Sequence, residues 1–124
     1  MTTTSQATSS DPTTYTVVCR LDQVEREGGV VALVGGAAVA VFRTYDDEVF
    51  ALDNYDPFSR ASVLARGIVG TRGDISFVAS PMHKQAFDLR TGHCLDDAAV
   101  RVPAYDVQVT GDGQVLVGGV RSNS

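Results

Sequence analysis

Two short segments carry the side chains best suited to metal or acid–base chemistry. Asp56-Pro57-Phe58 supplies a carboxylate, and Ser80-Pro81-Met82-His83 supplies a hydroxyl and an imidazole. Asp56 and His83 could both bind a metal, but two protein ligands make a poor site, so this is the weaker interpretation. An acid–base role for His83 lacks a partner in the sequence. The favoured interpretation is structural: Asp56 shapes a turn by accepting local backbone N–H groups, and His83 is a hydrogen-bonded loop residue.

Other catalytic patterns are absent from the sequence. There is no Gly-x-Ser-x-Gly motif, and His83 and His93 have no serine or cysteine partner at the spacing of a catalytic triad. No glycine-rich run leads into Lys-Ser or Lys-Thr, as a phosphate-binding loop requires. We therefore expect the chain to have no catalytic residues of its own.

Length and charge exclude several classes of partner. The chain has 124 residues, of which 44% are hydrophobic, which suits one domain with one modest core. The net charge of −5 argues against nucleic-acid binding. The longest apolar stretch, residues 30–42, contains Gly35-Gly36 and is too short to span a membrane. The N-terminus does not resemble a secretory signal.

Cys19 and Cys94 are interpreted as small core residues of a cytoplasmic protein, with a disulfide or redox pair as the alternative.

Short apolar runs separated by Gly, Asp and Pro predict a series of strands around the two loop segments. The Gly35-Gly36 pair predicts a tight hairpin. Predicted strands cover residues 15–20, 30–34, 37–43, 48–52, 75–78, 85–89, 107–110 and 114–117. The helical candidate covers residues 60–66. The sequence therefore predicts an all-β antiparallel sandwich or small barrel with at most one short helix.

The domain limits follow from composition. Residues 1–14 are rich in Thr and Ser and bury too little apolar surface to offset the entropy of ordering, so they are expected to be a disordered tail. Residues 15–119 are expected to form the domain, and residues 120–124 a C-terminal tail.

Four glycines inside the domain are interpreted as turn positions that favour positive φ: Gly67, Gly70, Gly73 and Gly92.

The two loop segments, with residues 85–94 that follow the second, resemble the ligand loops of a Rieske protein. A Rieske cluster needs two thiolates on one iron and two imidazoles on the other. Asp56 and Ser80 stand at the thiolate positions and Phe58 at one imidazole position, so His83 is the remaining ligand type. Phenylalanine has no donor atom, and an alcohol ionises far less readily than a thiol. We therefore predict vestigial ligand positions and a domain without a cluster.

Residues 51–59, 64–70 and 79–85 together resemble the small subunit of bacterial assimilatory NAD(P)H-dependent nitrite reductase, a Rieske-like family that lacks the cluster ligands. The resemblance covers residues 15–119. It implies a non-catalytic subunit that supports the reduction of nitrite to ammonia. It also implies a large subunit that carries FAD, an iron–sulfur cluster and siroheme, while this chain binds no cofactor. The alternatives are a Rieske-type ferredoxin that carries electrons to an oxygenase, and a cluster-free protein-interaction module.

The retained loops imply a retained surface. In Rieske proteins these loops present the edge of the cluster to redox partners, so residues 55–59 and 81–85 are predicted to dock on the large subunit. The candidate docking residues are Tyr55, Phe58, Met82, His83 and Lys84. Phe58 is also expected to fill the space that a cluster would occupy. The alternative is that the loops persist because the fold needs them. Arg66, Arg72 and Lys84 are interpreted as solvated charges or as partner contacts.

Overall fold

A computed structural model describes residues 15–82 and 84–121, which form antiparallel strands with almost no helix. The strands are β1 (Thr16–Arg20), β2 (Gly28–Val34), β3 (Ala37–Arg43), β4 (Val49–Asp53), β5 (Tyr55–Asp56), β6 (Ala61–Ser62), β7 (Ile68–Arg72), β8 (Ile75–Ala79), β9 (Ala86–Asp88), β10 (Ala104–Val109) and β11 (Gln114–Val120). Two single 3-10 turns, Leu21–Gln23 and Leu64–Arg66, are the helical segments of the described residues. The all-β prediction is confirmed. The predicted tail at residues 1–14 lies outside the described residues, as do residues 122–124.

Six strands form the larger sheet, in the order β1-β11-β10-β4-β3-β2. Its two outer strands, β1 and β2, also contact each other, so the sheet curls into a near barrel. The predicted hairpin joins β2 to β3, and Gly35 and Gly36 have φ of 58° and 86°. Positive φ at both central residues is the geometry of the turn whose twist matches a strand pair.

A smaller unit carries the two loop segments. It contains the three-stranded sheet β7-β8-β9 and the two-stranded ribbon β5-β6. The first loop segment joins β5 to β6, and the second joins β8 to β9. Both loops are therefore anchored at each end by paired strands.

Strands β3 and β4 form the wall between the near barrel and the smaller unit. Val39 and Val41 pack into a cluster inside the barrel, with Val115 and Val117. The intervening Ala40 and Phe42, with Phe50 and Leu52 of β4, pack into a second cluster beneath the loops. Because successive side chains in a strand point to opposite faces, a strand buried on both faces needs a continuous apolar sequence. This explains the unbroken run from Ala37 to Phe42.

The predicted helix over residues 60–66 is wrong. Arg60 has φ of 58°, residues Ala61–Ser62 pair with β5, and only Leu64–Arg66 form a single 3-10 turn. A left-handed residue and a strand pair cannot start a helix. The Asn54 side chain holds this turn, because its Oδ1 accepts the backbone N–H of Ala65 at 2.8 Å.

Strand β7 was not predicted, because Gly67 and Gly70 were interpreted as turn positions. Gly67 has extended backbone, with φ of −74°, and Gly70 lies inside β7. A Cβ at Gly67 would lie 2.3 Å from the carbonyl oxygen of Ala79, so this glycine allows the backbones to approach. The positive-φ prediction is confirmed for Gly73 and Gly92, at 59° and 81°.

Candidate functional site

The two loop segments are geometric copies of each other. Loop A is Asp56-Pro57-Phe58-Ser59-Arg60, and loop B runs from Ser80 to Lys84. In each loop the first side chain accepts the backbone N–H of the third residue, at 2.9 Å in loop A and 3.2 Å in loop B. The first carbonyl accepts the backbone N–H of the fifth residue, at 2.7 Å and 3.0 Å. The fifth residue of each loop has positive φ, 58° at Arg60 and 64° at Lys84.

A hydrogen bond joins the first residues of the two loops. The Ser80 hydroxyl donates to Oδ2 of Asp56 at 2.5 Å. Both residues are buried, Asp56 with 0% and Ser80 with 1% of its surface exposed. The residues at the two thiolate-like positions are therefore bonded directly to each other beneath the loop surface.

Asp56 accepts hydrogen bonds from both loops. Oδ1 accepts the backbone N–H of Phe58, and Oδ2 accepts the hydroxyls of Ser59, at 2.9 Å, and Ser80. The turn-forming role expected for Asp56 is thus present, and the bond to Ser80 is additional. None of the ion pairs between described residues involves Asp56, so neutral donors stabilise this carboxylate.

These donors determine the charge state of Asp56. Burial raises the pKa of the carboxyl, while hydrogen bonds from Ser80, Phe58 and Ser59 lower it, and the net pKa is lowered. Hydrogen bonds to the charged form of a carboxyl stabilise that form. Asp56 is therefore ionised at neutral pH, as an acceptor of several bonds must be.

The side chain of Phe58 connects loop A to the apolar cluster beneath it. It is half-buried and packs against the cluster beneath the loops, with its ring centroid 6.1 Å from that of Phe87 and the ring planes inclined by 49°. A tilted pair at this separation is favourable. The ring, at the position predicted to correspond to an imidazole ligand, contributes packing.

The loop tips expose apolar and basic side chains. Met82 is 58% exposed and Tyr55 is 44% exposed, and Lys84 is also exposed. Of the predicted docking residues, Phe58 is the half-buried one, and His83 lies outside the described residues. Arg60, the counterpart of Lys84 in loop A, was not among the predicted docking residues. The shared spacing, with proline second and a basic residue fifth in each loop, was the signal that could have revealed it.

The cysteines lie outside the two loop segments. Cys19 is half-buried in β1, where burial raises its pKa, and Cys94 is buried in the cluster beneath the loops. Both are free thiols, and no group of three or more metal-binding side chains occurs within residues 15–82 and 84–121. No helix in the same part of the chain is long and apolar enough to cross a membrane.

Residues 14–118 match the family described as the Rieske-like [2Fe-2S] domain. The nitrite reductase (NADH) small subunit of Salmonella typhimurium is 45% identical over 103 residues, which cover 82% of this chain and 94% of that protein. A large subunit of nitrite reductase [NAD(P)H] from Klebsiella oxytoca is 39% identical over 104 residues, which cover 84% of this chain and 11% of that protein.

Two solved structures, one of a nitrite reductase small subunit and one of a ferredoxin, resemble this fold. The nitrite reductase [NAD(P)H] small subunit from Erwinia carotovora is 48% identical, with a TM-score of 0.71, over 88% of this chain and 84% of that one. The ferredoxin of carbazole 1,9a-dioxygenase from Nocardioides aromaticivorans is 30% identical, with a TM-score of 0.73, over 86% of this chain and 99% of that one. The fold is thus common to both groups, while the sequence is closer to the small subunits.

The residues at the ligand positions do not fit a [2Fe-2S] cluster. Asp56 and Ser80 are oxygen ligand types bonded to each other, and Phe58 has no donor atom. To bind here, a cluster would have to break the hydrogen bond between Ser80 and Asp56 and displace the packed ring of Phe58. The loops therefore retain the Rieske frame, and their side chains use it for a direct link.

Proposed function

This chain belongs to the small subunits of NADH-dependent nitrite reductase within the Rieske-like family, and we propose that it acts as a non-catalytic subunit of such an enzyme. Its partner is the nitrite reductase large subunit. In this proposal the large subunit carries FAD, an iron–sulfur cluster and siroheme, and uses NAD(P)H to reduce nitrite to ammonia. We also propose a cytoplasmic complex, because the reducing conditions of the cytoplasm suit the free thiols of Cys19 and Cys94.

The direct bond between Ser80 and Asp56 supports the non-catalytic role most strongly. Electron transfer through this domain would need a redox group at the loops, and the residues there form a closed link of ordinary polar side chains. A ferredoxin role has the fold in its favour, but it needs the ligands that Asp56, Phe58 and Ser80 replace.

The large subunit of Klebsiella oxytoca supports the partnership. A segment of that protein resembles this whole domain. A domain of this kind therefore occurs within one polypeptide with a large subunit, which is the arrangement expected of modules that act in contact. We infer that the separate chain makes a comparable contact through non-covalent docking.

The loop tips are the proposed docking surface, formed by Tyr55, Phe58, Met82, His83 and Lys84. Met82 and Tyr55 supply exposed apolar area, and residues of both types are enriched in interfaces. The sequence predicts that the docking domain covers residues 15–119, with residues 1–14 and 120–124 as tails. Strand β11 extends the domain through Val120.

Reconstitution tests the proposed function. The large subunit is purified alone and mixed with increasing amounts of this chain, and both complex formation and NADH-dependent nitrite reduction are measured. We expect a stable complex and an activity that rises until the chain saturates its partner. A large subunit that neither binds the chain nor responds to it would refute the proposal.

A further inference from the structure

The two loops themselves carry exposed positive charge, although the chain as a whole has a net charge of −5. Within residues 54–70 and 79–87, the charged side chains that the structure describes are Arg60, Arg66, Lys84 and the buried Asp56. The carboxylate lies below the surface and is held by hydrogen bonds. The carboxylates of Asp53 and Asp96 accept the backbone N–H groups of Tyr55 and Ala86 at the bases of the loops. The exposed charges of the loops themselves are therefore positive.

Among the residues that the structure describes, Arg60, Arg66 and Lys84 are the cations without a partner. Every other lysine or arginine is engaged: Arg101 has an interaction of its own, and a carboxylate pairs with each of Arg20, Arg26, Arg43, Arg72, Arg90 and Arg121. Within residues 15–82 and 84–121, no hydrogen bond, ion pair or ring contact engages the side chain of Arg60, Arg66 or Lys84. The cations that have no partner among the described residues are thus gathered at the loop end of the domain.

Arg60 and Lys84 occupy equivalent, strained positions. Both have left-handed backbone, which glycine adopts without cost and a long side chain does not. The backbone N–H of each is bonded to the carbonyl of Asp56 or Ser80, and the side chains of those two residues are 2.5 Å apart. The two cations are therefore anchored to the same link and project from neighbouring loop ends.

We propose that Arg60 and Lys84 form a cationic pair that docks onto an acidic patch of the nitrite reductase large subunit. This inference rests on the proposed function and specifies the chemistry of its interface. Unpaired cations that are buried at an interface need opposite charges, because their desolvation is otherwise uncompensated. An acidic patch would repel most of this domain and attract its loop end, which would orient the encounter. Met82 and Tyr55 then supply the apolar contacts between the charges.

A double variant, Arg60→Gly with Lys84→Gly, tests the pair without endangering the fold. Glycine removes both charges and relieves both left-handed positions, so the melting temperature should be equal to or higher than that of the wild-type chain. Binding to the purified large subunit should weaken by about tenfold or more, mainly through slower association. The wild-type association rate should fall as ionic strength rises, and this dependence should be flatter in the variant.

Arg20→Gln with Arg26→Gln is the matched control, because it removes two positive charges elsewhere. Arg26 pairs with Asp47 in the turn between β3 and β4. This control should bind within about twofold of wild type.

The outcomes separate the two claims. Equal affinity and salt dependence of the wild type and the double glycine variant would overturn the cationic docking site and leave the subunit assignment standing. No binding by the wild-type chain at any ionic strength would overturn both. Inorganic phosphate or nitrite that stabilises the wild type but not the glycine variant, with equal binding to the large subunit, would instead identify a small-anion site and overturn the docking proposal.

Discussion

The hydroxyl of Ser80 donates a hydrogen bond to the carboxylate of Asp56 across 24 positions of sequence, and both residues are buried. The bond connects the first residues of two loops that each fold around their own proline. Each loop is shaped by local hydrogen bonds, and this contact fixes the position of one loop relative to the other.

Removing the Ser80 hydroxyl should destabilise the domain. Ser80→Ala leaves Asp56 buried with one donor fewer, and an unsatisfied buried polar group of this kind typically costs about 1–3 kcal/mol. Urea unfolding of Ser80→Ala, Asp56→Asn and the double variant measures the coupling between the two side chains. Additive losses would show that the bond contributes nothing beyond the separate contacts of each residue.

The contribution of Asp56 should disappear in acid. Its pKa in the folded protein is lowered from the ordinary value of 3.8, so its ionised form is bound more tightly by the fold than by the unfolded chain. The stabilisation is complete above that ordinary value and is lost as pH falls through the lower folded pKa. The stability difference between wild type and Asp56→Asn should be constant from pH 7 to about pH 5 and shrink below about pH 4. A difference that grew in acid would mean that the folded pKa is raised.

Phe58→Ala should cost less than truncation of a fully buried ring. Phe58 is half-buried, whereas Phe87, its neighbour, has 0% of its surface exposed. We expect about 1–3 kcal/mol for Phe58→Ala against about 3–5 kcal/mol for Phe87→Ala, both from urea unfolding. An unchanged midpoint for Phe58→Ala would assign the ring to docking alone.

Met82→Asp should weaken assembly while leaving the isolated domain intact. The side chain is exposed, so the unfolding free energy should change by about 0.5 kcal/mol or less. Leu33→Asp is the control, since Leu33 is 74% exposed on β2 of the larger sheet. In a pull-down with the large subunit as bait, the Leu33→Asp variant should be captured and the Met82→Asp variant should not. The reverse pattern would place the docking face on the near barrel.

The purified chain should be colourless and bind no stoichiometric iron. Three of the four ligand positions hold Asp56, Phe58 and Ser80, none of which supplies a thiolate or an imidazole. Metal analysis and visible spectra after anaerobic expression measure this directly. About two irons per chain would refute the interpretation of the loops, because that is the content of one intact cluster.

Local patterns predicted much of the fold. The Gly35-Gly36 pair and the apolar runs on both sides of it predicted the β2–β3 hairpin, because turn geometry is a local property. The turn-forming carboxylate of Asp56 was also readable, since it bonds two residues ahead. Tertiary contacts decided the rest. Gly67 directly precedes β7, where the backbone of Ala79 leaves no room for a Cβ. This close approach is a tertiary contact, so the local sequence pattern does not indicate it.

The site was predicted as a set of positions and not as a network. Asp56 and Ser80 were identified because each directly precedes a proline in a Rieske-like segment. Neither residue type indicates that the two side chains form a hydrogen bond with each other. Arg60 was placed in a helix, so its equivalence to Lys84 was hidden. The left-handed backbone of both residues depends on how each loop closes, and this follows from bonds to Asp56 and Ser80.

The link between the loops also predicts that the subunit matures without an inserted metal. A loop pair closed by a metal centre is completed only after a delivery system has supplied the metal, because such binding is coupled to folding. A pair closed by Ser80 and Asp56 is completed by the polypeptide itself, as soon as the two strands that carry them are in place. The tips are then ready for a partner straight after synthesis, and oxidants that dismantle iron–sulfur centres find no target in this link.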